Sequence, residues 1–192
     1  MSMPGIDRRR QILDVALTAF STSGYHNTSM NDIAEAAGVT KPVVYQHYES
    51  KRALFLAIID HVGDRMIEVL TAATSGLTDG QAQVEAGMIA FFKWVERDRN
   101  AFKFLFDSGT QNDEEFTIAI RKVLDRSAEA IAPLIAIDLD PIHVRTLAHG
   151  VAGASEGVAR FLINNTTAFN GEQIGKQIAN LLWAGLRGVD SE

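Results

Sequence analysis

Between residues 28 and 51 the chain gathers side chains that can hydrogen-bond or carry positive charge at the spacing of short helices: Thr28, Ser29, Thr40, Lys41, Tyr45, Gln46, His47 and Lys51, with Pro42 and Val43 among them. Their chemistry is that of duplex DNA recognition. Thr40, Lys41 and Gln46 can address base edges or phosphates, and Val43 can pack on a thymine methyl. Tyr45, His47 and Lys51 can each donate to phosphate oxygens and fix register on the backbone. The amides of Ser29 and Met30, opening a helix, can serve another phosphate. Any one of these residues is commonplace on a solvated helical hairpin. The reading rests on the whole string.

That string needs two short helices to hold it. Ser29 followed three residues later by Asp32 is a capping-box-like start. Ile33, Ala34 and Ala37 give the helix a small apolar inner face. Gly38 stands where a sharp turn between helices requires positive φ, which glycine adopts without strain. Val39 fills the angle, Thr40 is an N-cap candidate, and Pro42 is tolerated where the first turn has spare N–H groups. Val44 then points inward, leaving Lys41, Val43, Gln46 and His47 to face out.

Composition sets the frame. The 192 residues are 46% hydrophobic and 22% charged, the balance of an ordinary soluble chain with room for one or two cores. Charges interrupt every apolar run before the ~20 residues that span a bilayer, so no membrane partner is expected. The basic N-terminus leads into Gln11-Ile12-Leu13-Asp14 and not into an apolar signal core. The absence of cysteine excludes disulfides and thiolate metal sites, and a cytoplasmic location is expected. The net charge of −6 first argues against nucleic acid. Residues 1–60, however, hold six cations and six anions, so the whole deficit lies beyond residue 60.

The chain reads as all-α: proline is rare and alternating strand patterns are missing. Asp7 is a candidate cap for a first helix lined by Ile12, Leu13, Ala16, Leu17 and Phe20 and ended by Ser23-Gly24. Short helices start near Ser29 and Thr40, and a long one runs from Ser50 to about Thr74. Helices follow over about 81–97, 101–107 and 114–135, the last with Pro133 near its end. The segment Asp138 to Pro141 starts another, reaching about Asn164, and the last spans about 172–187. The expected plan is a three-helix head carrying a helix-turn-helix DNA-binding domain at 1–50, followed by an effector-binding and dimerisation body at 51–192.

Across residues 7 to about 60 the chain resembles the TetR (tetracycline-repressor-like) family. The shared features are an apolar first helix ending in Gly24-Tyr25, then Thr28-Ser29, Ile33-Ala34, Ala37-Gly38-Val39, and Tyr45-x-His47-Tyr48-x-Ser50-Lys51 leading to Leu54. The resemblance implies phosphate contacts from Tyr45, His47 and Lys51, and a third helix entering the major groove. Pro42 stands where many members have Gly or Ala, and Gln46 where an aromatic residue is frequent. Both fall on the reading face, so no relative's operator sequence transfers. Beyond residue 60 only length and helical layout match.

One helix-turn-helix seldom supplies enough specific affinity, so a homodimer on a palindromic operator is expected. The candidate dimer face combines Gly150, Gly153, Ala154, Ser155 and Gly157 with Ile174, Ile178, Leu181, Leu182 and Leu186; the alternative is that these stripes fill the chain's own core. The family similarly pairs its final two long helices into a four-helix bundle. Aromatics concentrate in mid-chain, and Phe91, Trp94, Phe102, Leu105, Phe106, Leu124 and His149 are candidates to line an apolar effector cavity; plain core is again the alternative. The resemblance implies a small apolar or amphipathic effector, and a repressor released by it. His149 and Glu156 share a helix face but make an incomplete metal site, and no cofactor is expected. Two other functions stay open: an effector-independent architectural protein, and a small all-helical enzyme. Against the enzyme, no phosphate loop, His-Glu zinc motif or nucleophile elbow is present.

Overall fold

A computed structural model describes residues 5–106, 113–135, 139–165 and 167–186. Among them every regular element is helical: α1 (Gly5–Asn27), α2 (Met30–Ala36), α3 (Lys41–His47), α4 (Lys51–Thr74), α5 (Gly80–Arg97), α6 (Arg99–Phe106), α7 (Glu114–Ile131), a 3-10 turn at Ala132–Leu134, α8 (Pro141–Asn165) and α9 (Gly171–Leu186). The expected Asp7 cap, the Ser108–Asn112 part of the expected loop, the Asp138 start and the Arg187 end fall outside the described residues or side chains. Two compact units emerge, Met1–Gly63 with Asn100–Ile120, and Asp64–Arg99 with Arg121–Glu192. No helix among the described residues is long and apolar enough to cross a membrane.

The first unit is built around α1. Its inner face buries Ile12, Leu13, Ala16, Leu17 and Phe20, and each large side chain so buried contributes about 1.5–3 kcal/mol. Gly24, at φ 79 and ψ 164, interrupts the helical geometry, a conformation that only glycine takes readily. The bend turns Tyr25 back toward an aromatic cluster. Phe55 is its centre, with Phe20, Phe104 and Phe116 at centroid distances of 5.2, 4.5 and 4.5 Å and Tyr25 at 5.0 Å. Ser50 caps α4 by accepting from the Ala53 amide at 3.0 Å.

In the second unit α5 is buried through Gly87, Met88, Phe91, Phe92, Trp94 and Val95. It lies unusually close to α9. A Cβ at Gly175 would stand 2.5 Å from Ile89 Cα, and one at Gly171 would stand 2.6 Å from the Phe92 carbonyl oxygen. Small residues on α8 play a different part. Gly150, Gly153 and Gly157 have no atom within 4 Å of a built Cβ, whereas Ser155 is buried and donates to Val151 O at 2.8 Å. Phe161 on α8 and Leu181 on α9 are 62% and 68% exposed. Ile174, Ile178, Leu182 and Leu186 are half-buried.

Glu172, in the first turn of α9, ties the two close helices electrostatically. It accepts from Lys176 Nζ at 2.9 Å and from Lys93 Nζ of α5 at 3.0 Å. These two hydrogen bonds, Lys176 first, hold its pKa at about 2 against an ordinary 4.5. A pKa depressed by folding adds stability above the unfolded value that is lost as pH falls through the folded one. The second unit is therefore expected to weaken between about pH 4.5 and 2. Urea midpoints measured across that range should decline less steeply in Glu172→Gln; an unchanged slope would show that the contact contributes nothing.

Candidate nucleic-acid interface

The α2–α3 pair is assembled from contacts only a few residues long. Ser29 Oγ accepts from the Asp32 amide at 3.2 Å while Asp32 Oδ2 accepts from the Ser29 amide at 2.8 Å, a complete capping box. Those bonds hold the Asp32 carboxyl below its ordinary pKa. They also occupy the Ser29 amide, one of the two amides expected to meet phosphate. The buried face of α2 is Met30, Ile33 and Ala34. Gly38 takes φ 64, and the Val39 amide closes the turn onto Ala34 O at 2.9 Å.

Helix α3 follows with Pro42 in its first turn and Val44 completely buried. Thr40 occupies the N-cap position, yet its side chain makes no capping bond, so the hydroxyl expected to cap the helix is left unused. Lys41, Pro42, Tyr45 and Gln46 are exposed, as is Thr40, while Val43 and His47 are half-buried. Tyr45 is 44% exposed, with Lys41 Nζ 6.0 Å from its ring centroid. This is one continuous polar face over two helical turns. The Lys41 ammonium and the Gln46 amide there can reach base edges.

Three of the candidates have internal partners. Thr28 is 2% exposed, and its hydroxyl donates to Gly24 O at 2.9 Å and Ala19 O at 3.3 Å. It fastens the bend of α1 to the start of α2. Ser29 is exposed but engaged in the capping box. Lys51 Nζ donates to Tyr25 O at 2.8 Å and lies 4.4 Å over the Tyr25 ring. Its ammonium thus neutralises the carbonyl end of α1.

Other residues position this face without any local sequence signal. Gln11 Nε2 donates to Ala37 O at 3.2 Å and Gln11 Oε1 accepts from Arg8 Nη1 at 2.8 Å, which ties α1 to the turn. Tyr48, buried just past α3, donates to Arg9 O at 3.4 Å beneath the Arg9 guanidinium. Burial raises the pKa of its phenol, which stays neutral. Arg52, beside Lys51, forms a bidentate pair with Asp113 at 2.7 Å through both terminal nitrogens, contacts Glu115 through Nε, and stacks over Phe116. Asp113 also caps α7 by accepting from the Glu115 and Phe116 amides. A cation that sequence position alone would offer to DNA is engaged by acids of its own chain.

The candidate effector residues divide between the two units. Phe102, Leu105 and Phe106 are buried in the first, with Phe102 and Phe106 at 4.7 Å. Phe91, Trp94, Leu124 and His149 belong to the second. There Phe91 and Trp94 are buried with centroids 6.2 Å apart, Leu124 is half-buried, and His149 is exposed with Nε2 4.0 Å from Asp125 Oδ1. Glu156 pairs with Arg160 at 2.5 Å, and no cluster of three metal-ligating side chains exists among the described residues.

Two short helices closed by a glycine turn, with a buried inner face and an open polar one, define a helix-turn-helix protein whose class reads duplex DNA. Comparison with known proteins narrows that class. Residues 12–58 match the profile of "Bacterial regulatory proteins, tetR family". The chain is 29% identical over 189 residues to the HTH-type transcriptional activator FasR of Mycolicibacterium smegmatis, covering 97% of this chain and 86% of that protein. A TetR-like transcriptional regulator from Rhodococcus sp. RHA1 superposes with a TM-score of 0.79 at 29% identity, over 98% of this chain and all of that one. The regulator FadR of Bacillus subtilis, solved in complex with stearoyl-CoA, shares the fold with a TM-score of 0.78 at 16% identity, over 94% and 99% of the two chains. The matched segment is a DNA-binding domain of the TetR type, and the chain is a DNA-binding transcriptional regulator similar along 97% of its length to a regulator of that kind.

Proposed function

We propose that this regulator binds a palindromic operator as a homodimer and leaves it when an amphipathic effector with a long apolar part enters the body. Residues 1–50 serve as the DNA-binding domain and 51–192 bind the effector and the second subunit. The observation that carries the reading is the open face of α3, where Thr40, Lys41, Pro42, Tyr45 and Gln46 are exposed together above a buried Val44. Tyr45, His47 and Lys51 anchor the phosphates, and Thr40, Lys41, Pro42, Val43 and Gln46 set sequence preference. Support for the dimer comes from the glycine-lined, exposed side of α8, which leaves room for close approach of a second copy. The effector class rests on the apolar, aromatic surroundings of α5 and on a protein of the same fold that holds an acyl thioester.

Selection of bound duplexes from a random pool is expected to return two inverted half-sites about one helical turn apart. Affinity should fall steeply with salt, with a log–log slope of about −4 to −7 for four to eight phosphates per dimer. Light scattering should give twice 21.0 kDa. A monomer at micromolar concentration, or a single unrepeated half-site, would reject the dimeric reading.

The likeness to a protein named as an activator favours a second reading, in which the bound dimer recruits transcription instead of blocking it. In vitro transcription from a template carrying the selected site separates the two: repression lowers the transcript as dimer is added, and activation raises it.

A further inference from the structure

Among the described residues, one buried donor in the second unit has no acceptor. Trp94 is 6% exposed, and its indole Nε1 makes no hydrogen bond. An indole N–H can only donate, and a buried donor left unmade costs stability that a phenyl ring in the same place would not. Phenylalanine does fill two buried positions earlier on the same helix, Phe91 and Phe92. Among the described residues just one other buried side-chain atom lacks a partner, His61 Nε2, and it has the Asp14 carboxylate 3.6 Å away. The ring neighbour of Trp94 is Phe91, at 6.2 Å.

We propose that Trp94 Nε1–H is the polar anchor of the effector site and that it selects a ligand with a neutral carbonyl oxygen set within a long apolar chain, as in an acyl thioester or ester. The inference rests on the effector reading above and adds the one contact that orients the ligand. A free carboxylate is disfavoured at this position, because burying its charge against a single neutral donor leaves it largely unpaired. A neutral carbonyl needs only one donor. It also exchanges an unsatisfied group in the free protein for a satisfied one in the complex, so the contact favours the bound state specifically. An alkyl chain without a carbonyl fills the same apolar surroundings and leaves the N–H unpaired.

The test uses an isosteric pair of probes on the intact chain, stearoyl-CoA and its thioether S-octadecyl-CoA, which differ only in the carbonyl. Trp183→Phe leaves Trp94 as the single indole, because the chain holds two tryptophans. Two signals are followed together: DNA affinity, and the 15N-correlated indole proton of Trp94. Stearoyl-CoA is expected to move that proton downfield and to bind at least tenfold more tightly than the thioether. Trp94→Phe, checked by its melting curve, should bring the two probes to equal affinity. If stearoyl-CoA lowers DNA affinity while the indole proton stays in place, or if the tenfold ratio survives in Trp94→Phe, the anchor is refuted and the effector reading stands. If neither probe changes DNA affinity or the indole signal, the acyl effector reading fails and the anchor with it. A water-exchange signal on the indole that persists with stearoyl-CoA bound also overturns the proposal, since a buried water would then be the partner.

Discussion

Alanine at Gly175 is expected to destabilise the protein by about 3 kcal/mol, the upper part of the range for overpacking a closed interior. The added Cβ would stand 2.5 Å from Ile89 Cα and 2.8 Å from Ile89 N. These are backbone atoms, so no rotamer change relieves the contact, and α9 must move away from α5. That separation would also stretch the Lys93–Glu172 bond of 3.0 Å and the Gly171 amide bond to Glu96 at 3.1 Å. The measurement is a urea midpoint for the variant beside wild type. A shift equivalent to less than about 1 kcal/mol would mean that the two helices slide apart at little cost. Gly153 provides the contrast. It has open space around a built Cβ, so Gly153→Ala should leave the chain's own stability unchanged or raise it by about 0.5–1 kcal/mol through helix propensity. Gly153→Leu should then keep the fold and weaken the proposed dimer. Unaltered association in that variant would place the partner elsewhere.

Lys51→Met is expected to lower operator affinity by about 10- to 100-fold for each protomer, from the loss of a charge-assisted hydrogen bond worth about 1.5–3 kcal/mol in each. The geometry makes the cause a question. In the free protein the ammonium is already bonded to Tyr25 O at 2.8 Å and lies over the Tyr25 ring, so the same substitution should also cost the first unit about 1 kcal/mol. Salt dependence distinguishes direct contact from positioning. If Lys51 meets a phosphate in each protomer, the log–log slope should become shallower by about 2 for the dimer. If it acts only by holding the end of α1, affinity falls and the slope stays. Arg52→Met is the companion variant. Its guanidinium is engaged by Asp113 and Glu115, so it should leave the slope unchanged.

The reading head was legible in the sequence because its defining contacts are local. Ser29 and Asp32 are three residues apart, the Gly38 turn closes between Ala34 and Val39, and Val44 follows from helical periodicity. Side-chain chemistry at that range is dictated by spacing along the chain, so the capping box, the turn and the inward residues could be read directly, whereas the Thr40 hydroxyl expected to cap α3 makes no such bond. The helical class was readable for the same reason, from apolar residues recurring every three or four positions.

Tertiary structure alone decided how the candidate residues are used. It placed Thr28 in the interior, bonded across the α1 bend, and gave Lys51 a carbonyl 26 residues away. It paired Arg52 with an acid 61 positions on, and put Phe102, Leu105 and Phe106 in the unit that holds the reading head. It also located the close helix approach at Gly171 and Gly175, away from the glycines of α8. None of these pairings leaves a periodic trace in the chain, because each depends on where two distant backbone segments pass. So the residue types between 28 and 51 determined that this protein can read DNA. Which of them are left open to do so was decided in part by contacts from α1 that only the folded chain brings within reach.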